Sequence, residues 1–350
     1  MAEGIHLRTA ALVVAVALIA LAAARGTSAQ QPAFARLPAD VLDVLPPSDR
    51  VRGAPGEMTV QPRVCRTRPT GDTRRHIVDV AVQEWGFFGF GLAAATDVED
   101  DDTAPEVRRR RSRLPPAEAA RVAASIAGYW AVTPEGAWIV GRQNDRWNGP
   151  DGIAARWNAP WSAAFVSWVM CEAGLGATTQ FQRAVAHHTY IDQAIRARDG
   201  RATQAAFVAY DAGEAAIEPG DLLCSSRRPA YHTIADRRRQ MGVGARSHCD
   251  VVVKVDEARG RILAIGGNVR GVVSLKLLPA EREAAGPVRL ATGDRERPMF
   301  AHLKLRAAPV DANALDMSPA ITASRCAVRS GMPALVAATF AAAGLTAARC

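Results

Sequence analysis

The sequence lacks several short motifs that mark common functional sites. No pair among its six cysteines has the CxxC spacing, which argues against a zinc ribbon or a thioredoxin-like redox site. It contains no HExxH pattern, so a zinc-protease helix is not expected, and we predict no metal site and no cofactor. The Gly266-Gly267-Asn268 stretch lacks the spacing of a phosphate-binding loop, and its glycines instead predict close backbone approach or a bulge.

Long hydrophobic runs are also scarce. One apolar run, residues 10–24, follows Arg8 and precedes the small residues Thr27, Ser28 and Ala29, the order of a secretory signal peptide. This run is short for a bilayer span, and no second one follows. The sequence therefore predicts a signal peptide over 1–29, cleaved near Ala29, and a periplasmic or secreted protein that is not an integral membrane protein.

The formal net charge is +8, with 43 basic and 35 acidic residues. A modest positive charge suits contact with anionic wall or membrane polymers, although it describes encounter more than identity. No nucleic-acid-binding motif is recognisable, so we expect no nucleic-acid partner.

Cysteines in an exported protein predict disulfides. Cys326 and Cys350 bracket the end of the chain and form the first candidate pair. Cys224 and Cys249 lie on predicted neighbouring strands and form the second, whereas Cys65 and Cys171 have no predicted partner.

Periodicity divides the rest of the chain into helices followed by strands. Residues 30–62 are rich in proline and predict a flexible lead segment. Helical spacing is seen in four stretches and in the short TQAAFVAYDAG segment, with a predicted loop over RQNDRWNGPDGIAARWNAP. The four stretches are RRHIVDVAVQEWGFFG, PPAEAARVAASIAGYWAV, WSAAFVSWVMCEAG and AHHTYIDQAIRAR.

Short segments rich in Val, Ile and Leu then predict strands: EPGDLLCSS, CDVVVKVD, RILAIGGN, VVSLKLLP and MFAHLKLR, with DEARG as a hairpin turn. Helices followed by an antiparallel sheet indicate an α+β fold. We assign one domain to 63–306 and treat the Ala-rich tail, 307–350, as an appendage that either forms a helix tied back by a disulfide or is loosely attached.

Three polar residues are candidates for catalysis. Ser162 opens an apolar helix, His248 begins a strand, and Asn268 ends the next strand. If these strands pair across the DEARG turn, His248 and Asn268 come to the same end of the sheet. A nucleophile, a base and a residue that orients the base are what acyl transfer requires, and a helix N-terminus supplies free N–H groups for an oxyanion.

Each of these residues also has a structural interpretation. Ser162 suits a helix N-cap, although Phe165 stands where a capping box needs Glu or Gln. His248 at a strand start is equally consistent with a structural hydrogen bond. His188 and Tyr190 are candidates to line a cleft together with Trp161, although Trp161 is more typical of a core residue.

The segments PWSAAFVSWVMCEAG, HTYIDQA, PGDLLC, SHCDVVVKVD and AIGGNVRGVVSLK occur in this order over about residues 70–306. In these segments the chain resembles the bacterial DUF2272 family, which is in turn similar to the papain-like NlpC-type and CHAP-type amidases and peptidases. The resemblance implies a papain-like fold with N-terminal helices packed on an antiparallel sheet. It places His248 at the catalytic histidine, Asn268 at the third polar position, and Ser162 where the superfamily has cysteine.

Because Ser162 stands where the superfamily has cysteine, more than one function is consistent with the resemblance. A serine is less readily ionised beside a histidine than a cysteine, so the change often removes activity, yet serine works with histidine in other folds. The first hypothesis is a cell-wall-associated hydrolase that cleaves an amide or ester. The alternatives are an inactive domain that binds peptidoglycan or a partner protein, and an acyltransferase or lipid-ester hydrolase.

Overall fold

The computed structural model of the protein describes residues 35–68, 72–95, 116–282, 288–290, 299–328 and 334–345. From Arg36 onward the chain forms one compact unit. The predicted signal peptide and its cleavage near Ala29 lie outside the described residues.

The alternating apolar segments of the second half pair into an eight-stranded sheet in the order β3-β8-β7-β6-β5-β10-β4, with β9 paired to β8. All pairings are antiparallel except β3 with β8. The strands of this sheet are β3 Gly91–Ala93, β4 Phe207–Tyr210, β5 Leu222–Arg228, β6 Arg246–Asp256, β7 Arg261–Val269, β8 Val272–Arg282, β9 Val288–Leu290 and β10 Met299–Leu305. A separate small hairpin pairs β1 Val51–Arg52 with β2 Thr59–Val60.

Helices pack against this sheet and against one another. They are α1 Ala39–Leu42, α2 Thr73–Phe87, α3 Pro116–Trp130, α4 Gly136–Trp147, α5 Ser162–Glu172, α6 His187–Arg198, α7 Ile234–Arg238, α8 Pro319–Val328 and α9 Ala334–Ala343. The mixed α+β class predicted from the sequence is confirmed. Within the described part of the chain, none of the helices has the length and apolar character needed to cross a membrane.

Most predicted elements form where the periodicity placed them, including the turn at DEARG, where Gly260 adopts a left-handed conformation between β6 and β7. Two predictions were wrong. TQAAFVAYDAG forms β4 because Phe207 and Ala209 alternate inward and the strand pairs with β10, a tertiary contact that overrides helix propensity. The first part of the predicted loop at 142–160 continues α4, which buries Gln143 and Trp147.

The predicted flexible lead segment is also corrected over the described residues up to 62. Arg36 forms a bidentate ion pair with the buried Glu84 of α2, and Arg50 pairs with Glu172 at the end of α5. Buried carboxylates need such partners, so this proline-rich segment belongs to the folded unit.

The described parts of the tail pack against the unit as well. Leu315 and Ile321 are fully buried, and Phe340 of α9 packs edge-on against Phe90 and beside Trp85. The tail is therefore more than a loose appendage over these residues. The predicted Cys326–Cys350 bridge lies outside the described residues, since Cys350 and the Cys326 side chain are not described.

Two disulfides join the described cysteines. The predicted Cys224–Cys249 bridge is confirmed and links directly opposed residues of β5 and β6. Cys65 and Cys171, for which the sequence offered no partner, form the second bridge, which ties the chain just after the lead segment to α5.

The helix α5 is apolar nearly all round because it is buried along its whole length. Its aromatic residues pack in a cluster centred on Tyr129 of α3, which contacts Trp161, Phe165 and Trp168. This packing fixes the first turn of α5 against β6 and β7 and so fixes the position of Ser162.

Candidate active site

Ser162 is the first helical residue of α5, and Trp161, not Ser162, is the N-cap residue. The Ser162 hydroxyl does not cap its helix. Its Oγ lies 2.9 Å from Nδ1 of His248 and 2.9 Å from Nε2 of His187. The interpretation of Ser162 as a helix cap is therefore corrected, and its hydroxyl instead joins two imidazole rings.

The second nitrogen of the His248 ring contacts a carboxylate. His248 Nε2 lies 2.8 Å from Oδ1 of Asp250, two residues along β6. Residues i and i+2 of a strand face the same side, whereas Cys249 between them faces the other side and forms its disulfide there. Ser162, His248 and Asp250 are thus connected by two consecutive hydrogen bonds.

Asn268 does not make the orienting contact predicted for it. The strands β6 and β7 pair as expected, so Asn268 lies at the same end of the sheet as His248. It is buried, and its backbone is left-handed (φ 57°) at the point where the β7–β8 register is irregular. The structure shows no hydrogen bond between Asn268 and His248, and Asp250 occupies that role because it shares a strand face with the histidine.

Lys276 of β8 holds the Asp250 carboxylate from its other side. Its Nζ donates to Oδ1 at 3.0 Å and to Oδ2 at 2.8 Å. Burial by itself would raise the pKa of Asp250, but the Lys276 ammonium and the His248 ring favour the carboxylate and hold this pKa well below the ordinary range. Asp250 is therefore ionised, and the ring nitrogen that faces it donates a proton.

The DUF2272 family model, described as "Uncharacterized protein conserved in bacteria", matches residues 121–305, more than half of the chain. The chain belongs to the DUF2272 family. The matched range contains α5, β6 and β8, and therefore Ser162, His248, Asp250 and Lys276. No curated protein and no solved structure matches the chain.

Two glycines of the DUF2272 domain make room for this cluster, as the sequence predicted for close backbone approach. A Cβ at Gly266 would lie 2.0 Å from Asp250 Oδ1 and 2.9 Å from His248 Nε2. A Cβ at Gly267 would lie 2.6 Å from the Cβ of Phe165 on α5. The absence of these side chains lets β7 pass directly beside the His248–Asp250 pair and the first turn of α5.

His187 begins α6 and contacts the same Ser162 hydroxyl as His248 does. Its Nδ1 is hydrogen-bonded to the hydroxyl of Tyr190, one turn along the same helix. The two imidazole rings have centroids 5.5 Å apart, with Ser162 Oγ in contact with a nitrogen of each.

The residues predicted to bind substrate lie in different environments. Trp161 is buried and stacks between Phe88 and Tyr129, in agreement with the core interpretation. Tyr190 is buried beside His187. His188 is half-buried, with Nδ1 on the backbone of Ala245.

The whole cluster is enclosed. Ser162, His248 and Asp250 are each 0% exposed, and His187 and Lys276 are 3% and 1% exposed. Hydrogen bonds in such an enclosed site are stronger than in water, and every partner in the network matters for stability. In the described part of the chain, no group of three or more His, Cys, Asp or Glu residues is arranged to hold a metal ion.

Sequence reasoning missed Asp250, Lys276 and His187. A signal for Asp250 was present, because the His-Cys-Asp order in a strand places His248 and Asp250 on one face. Lys276 stands out as a charge inside the apolar strand segment VVSLKLLP, where burial requires a carboxylate partner. His187 had no such signal, since its contact with Ser162 depends on how α6 packs.

Proposed function

We propose that the protein is an exported, cell-wall-associated hydrolase that cleaves an amide or ester through an acyl-enzyme on Ser162. The observation that carries this proposal is the contact chain from Ser162 Oγ to His248 Nδ1 at 2.9 Å and from His248 Nε2 to Asp250 at 2.8 Å. Both distances are within hydrogen-bond reach, which general-base activation of a serine requires.

In the proposed reaction, Ser162 Oγ attacks the carbonyl carbon while its proton passes to His248 Nδ1. The carbonyl electron pair moves to oxygen, and the tetrahedral intermediate then collapses as His248 gives the proton to the leaving amine or alcohol. Water repeats the sequence on the acyl-enzyme: it loses a proton to His248, the bond from carbon to Oγ breaks, and that proton returns to Oγ. Asp250 stays ionised throughout and stabilises the imidazolium.

The surroundings of Ser162 support this chemistry in two further ways. Lys276 keeps Asp250 ionised and fixed, so that His248 presents Nδ1 to the serine. The N-terminus of α5 adds backbone N–H groups without partners inside the helix, and these favour negative charge beside Ser162.

We further propose that the fold is papain-like, of the NlpC and CHAP type. A nucleophile at the start of a buried helix and a histidine on the adjoining sheet support the likeness to papain-like NlpC and CHAP amidases. That likeness, together with the signal peptide predicted from the sequence, supports peptidoglycan or other cell-envelope material as the substrate and the periplasm or cell exterior as the location.

The second candidate function is a catalytically inactive domain of the same fold that binds peptidoglycan or a partner protein. The observation that favours it is the complete burial of Ser162 and His248. A substrate reaches Oγ only if a covering segment moves, whereas a structural hydrogen-bond network is satisfied as it stands.

Hydrolysis assays with matched serine variants separate these candidates. The purified protein is incubated with p-nitrophenyl acetate and with isolated peptidoglycan, beside Ser162→Ala, Ser162→Cys and Ser167→Ala. Ser167 is a suitable control because it is equally buried on α5 but, among the residues that the structure describes, its hydroxyl bonds to the backbone of Ala184 and not to a histidine. We expect turnover by the parent and by Ser167→Ala and a loss of about 10⁵-fold or more in Ser162→Ala.

Two outcomes contradict the hydrolase proposal. Turnover that persists in Ser162→Ala removes Ser162 as the nucleophile. Absence of turnover by the parent, together with binding of peptidoglycan that Ser162→Ala leaves unchanged, supports the inactive binding domain.

A further inference from the structure

The hydroxyl of Ser162 contacts two imidazoles but carries only one hydrogen. It can therefore donate to one ring only, and the other ring must donate to it. The direction of these two hydrogen bonds decides which histidine acts as the base.

The Asp250 carboxylate settles the direction on the His248 side. An ionised carboxylate only accepts, so His248 Nε2 carries a proton. If Nδ1 also carried one, His248 would be a cation, and the enclosed Lys276–Asp250 pair, already neutral in sum, would gain an uncompensated buried charge. The neutral ring is therefore favoured, and its unprotonated Nδ1 accepts a hydrogen bond from the Ser162 hydroxyl.

The hydrogen bond from His187 must then run toward the serine. His187 Nε2 donates to Ser162 Oγ, which leaves His187 Nδ1 bare and able to accept from the Tyr190 hydroxyl. One uninterrupted direction results: Tyr190 donates to His187, His187 to Ser162, Ser162 to His248, and His248 to Asp250. Each donor in this chain has an acceptor, with both rings neutral.

We propose that His187 is a second catalytic residue, whose Nε2–H donates to Ser162 Oγ and stabilises the negative charge that develops there. This inference rests on the proposed hydrolase function. His187 keeps its proton throughout: its hydrogen bond strengthens as Oγ loses its proton to His248, and again as Oγ leaves the acyl group. Tyr190 is a positioning residue, because its hydroxyl fixes the tautomer in which Nε2 carries the proton.

The test combines three variants with one probe. His187→Met removes the donor, His187→Gln restores an N–H group at the same number of bonds from Cα, and Tyr190→Phe frees the tautomer. The rate of covalent labelling by a fluorophosphonate is measured for each folded variant, with Tyr210→Phe as the control tyrosine. We expect His187→Met to lose about 10²-fold, as for removal of one oxyanion donor, and His187→Gln to recover part of that loss.

A second readout does not depend on activity. Nitrogen-15 NMR of the histidine rings reports which nitrogen carries the proton, and we expect Nε2–H for both His187 and His248 in the parent. Tyr190→Phe should convert part of the His187 population to the Nδ1–H form, which a merely structural tyrosine would not do.

The outcomes separate the two proposals. An unchanged labelling rate in His187→Met, or an Nδ1–H tautomer of His187 in the parent, overturns the role of His187 while leaving the hydrolase function intact. A parent protein that neither labels nor hydrolyses overturns the hydrolase function, and the NMR result then still decides the direction of the hydrogen bonds.

Discussion

The sheet carries two buried clusters of the same kind, one around His248 and one around His302. In each, a histidine Nε2 lies 2.8 Å from an aspartate, Asp250 or Asp221. Asp250, Leu223 and His302 form one cross-strand row, so Asp250 and His302 lie on the same face of the sheet, on the two strands that flank β5.

A basic side chain completes each cluster. Arg74 donates to Asp221 at 2.7 Å, as Lys276 donates to Asp250. Burial opposes ionisation of Asp221, but the neighbouring His302 and Arg74 hold its pKa below the ordinary value. The histidine–aspartate–cation arrangement therefore occurs twice in this protein, and each time the basic side chains stabilise a buried carboxylate.

The difference lies at the other ring nitrogen. His248 Nδ1 faces the Ser162 hydroxyl, whereas His302 Nδ1 is buried without a hydrogen-bond partner among the described residues. An oriented base becomes chemically useful only where a nucleophile meets it. Ser162, placed by the first turn of α5, is what distinguishes the candidate active site from its structural counterpart.

The largest contrast is expected from replacing the two histidines. His248→Gln should lower the hydrolysis rate by about 10⁵-fold or more, because it removes the base. His302→Gln should leave the rate unchanged in the folded protein and cost about 2 kcal/mol of unfolding free energy. Parallel measurements of rate and urea unfolding check both, and equal losses of rate would remove the distinction between the clusters.

The two aspartates should differ in the same sense. Asp250→Asn should lower the rate by about 10⁴-fold and destabilise the fold by about 3 kcal/mol, because Lys276 is left buried without its partner. Asp221→Asn should lower the unfolding free energy without changing the hydrolysis rate, as measured by the same two assays.

The pH dependence of the unfolding free energy shows whether the ionised Asp250 carboxylate is the cause of the stability difference between the parent and Asp250→Asn. The pKa of Asp250 is lower in the folded than in the unfolded protein, so its stabilisation is present above the unfolded pKa, about 4, and is lost as the pH falls below it. The difference in unfolding free energy between parent and Asp250→Asn should therefore shrink between about pH 5 and pH 3. A difference that stays constant over this range contradicts the assigned ionisation.

A smaller effect is expected from adding one methyl group at Gly266. The new Cβ would overlap Asp250 Oδ1 and crowd His248 Nε2, so Gly266→Ala should lower the rate by about 10²-fold through displacement of the base. Gly141→Ala is the matched control, because Gly141 lies exposed within α4 with open space around it. That change should stabilise the protein by up to about 1 kcal/mol without altering the rate, measured by the same assays.

The smallest effect on rate is expected from the disulfides. Loss of Cys224–Cys249, which closes 25 residues, should cost about 3 kcal/mol, and loss of Cys65–Cys171, which closes 106, about 4 to 5 kcal/mol. Paired serine variants followed by thermal unfolding check this order. The folded variants should keep their rate, since β6 remains paired to both β5 and β7; a rate lost only with Cys224–Cys249 would assign that bridge a role in holding His248.

Much of this arrangement follows from local patterns in the sequence. The 3.6-residue spacing predicted α2, α3, α5 and α6, and the strand segments with the DEARG turn predicted the β6–β7 hairpin that brings His248 and Asn268 to one end. The pairing of Ser162 with His248 was expected from the family resemblance, because the spacing of the two residues does not establish it. The predictions of helices and of the hairpin succeed because they depend on periodicity and on one short turn.

What the sequence did not reveal depends on long-range packing. The strand β4 is held by its pairing with β10, and His187 reaches Ser162 only through the position of α6. Asp250, and not Asn268, contacts His248 because it lies on the same strand face and because Gly266 has no side chain to displace it.

The most direct test of the account is covalent labelling of the purified protein with a fluorophosphonate, followed by peptide mass spectrometry. We expect a single adduct on Ser162 that disappears in His248→Gln and persists in His302→Gln. A protein that remains unlabelled, or that is labelled at another residue with Ser162 untouched, would contradict the claim that Ser162 is an activated nucleophile.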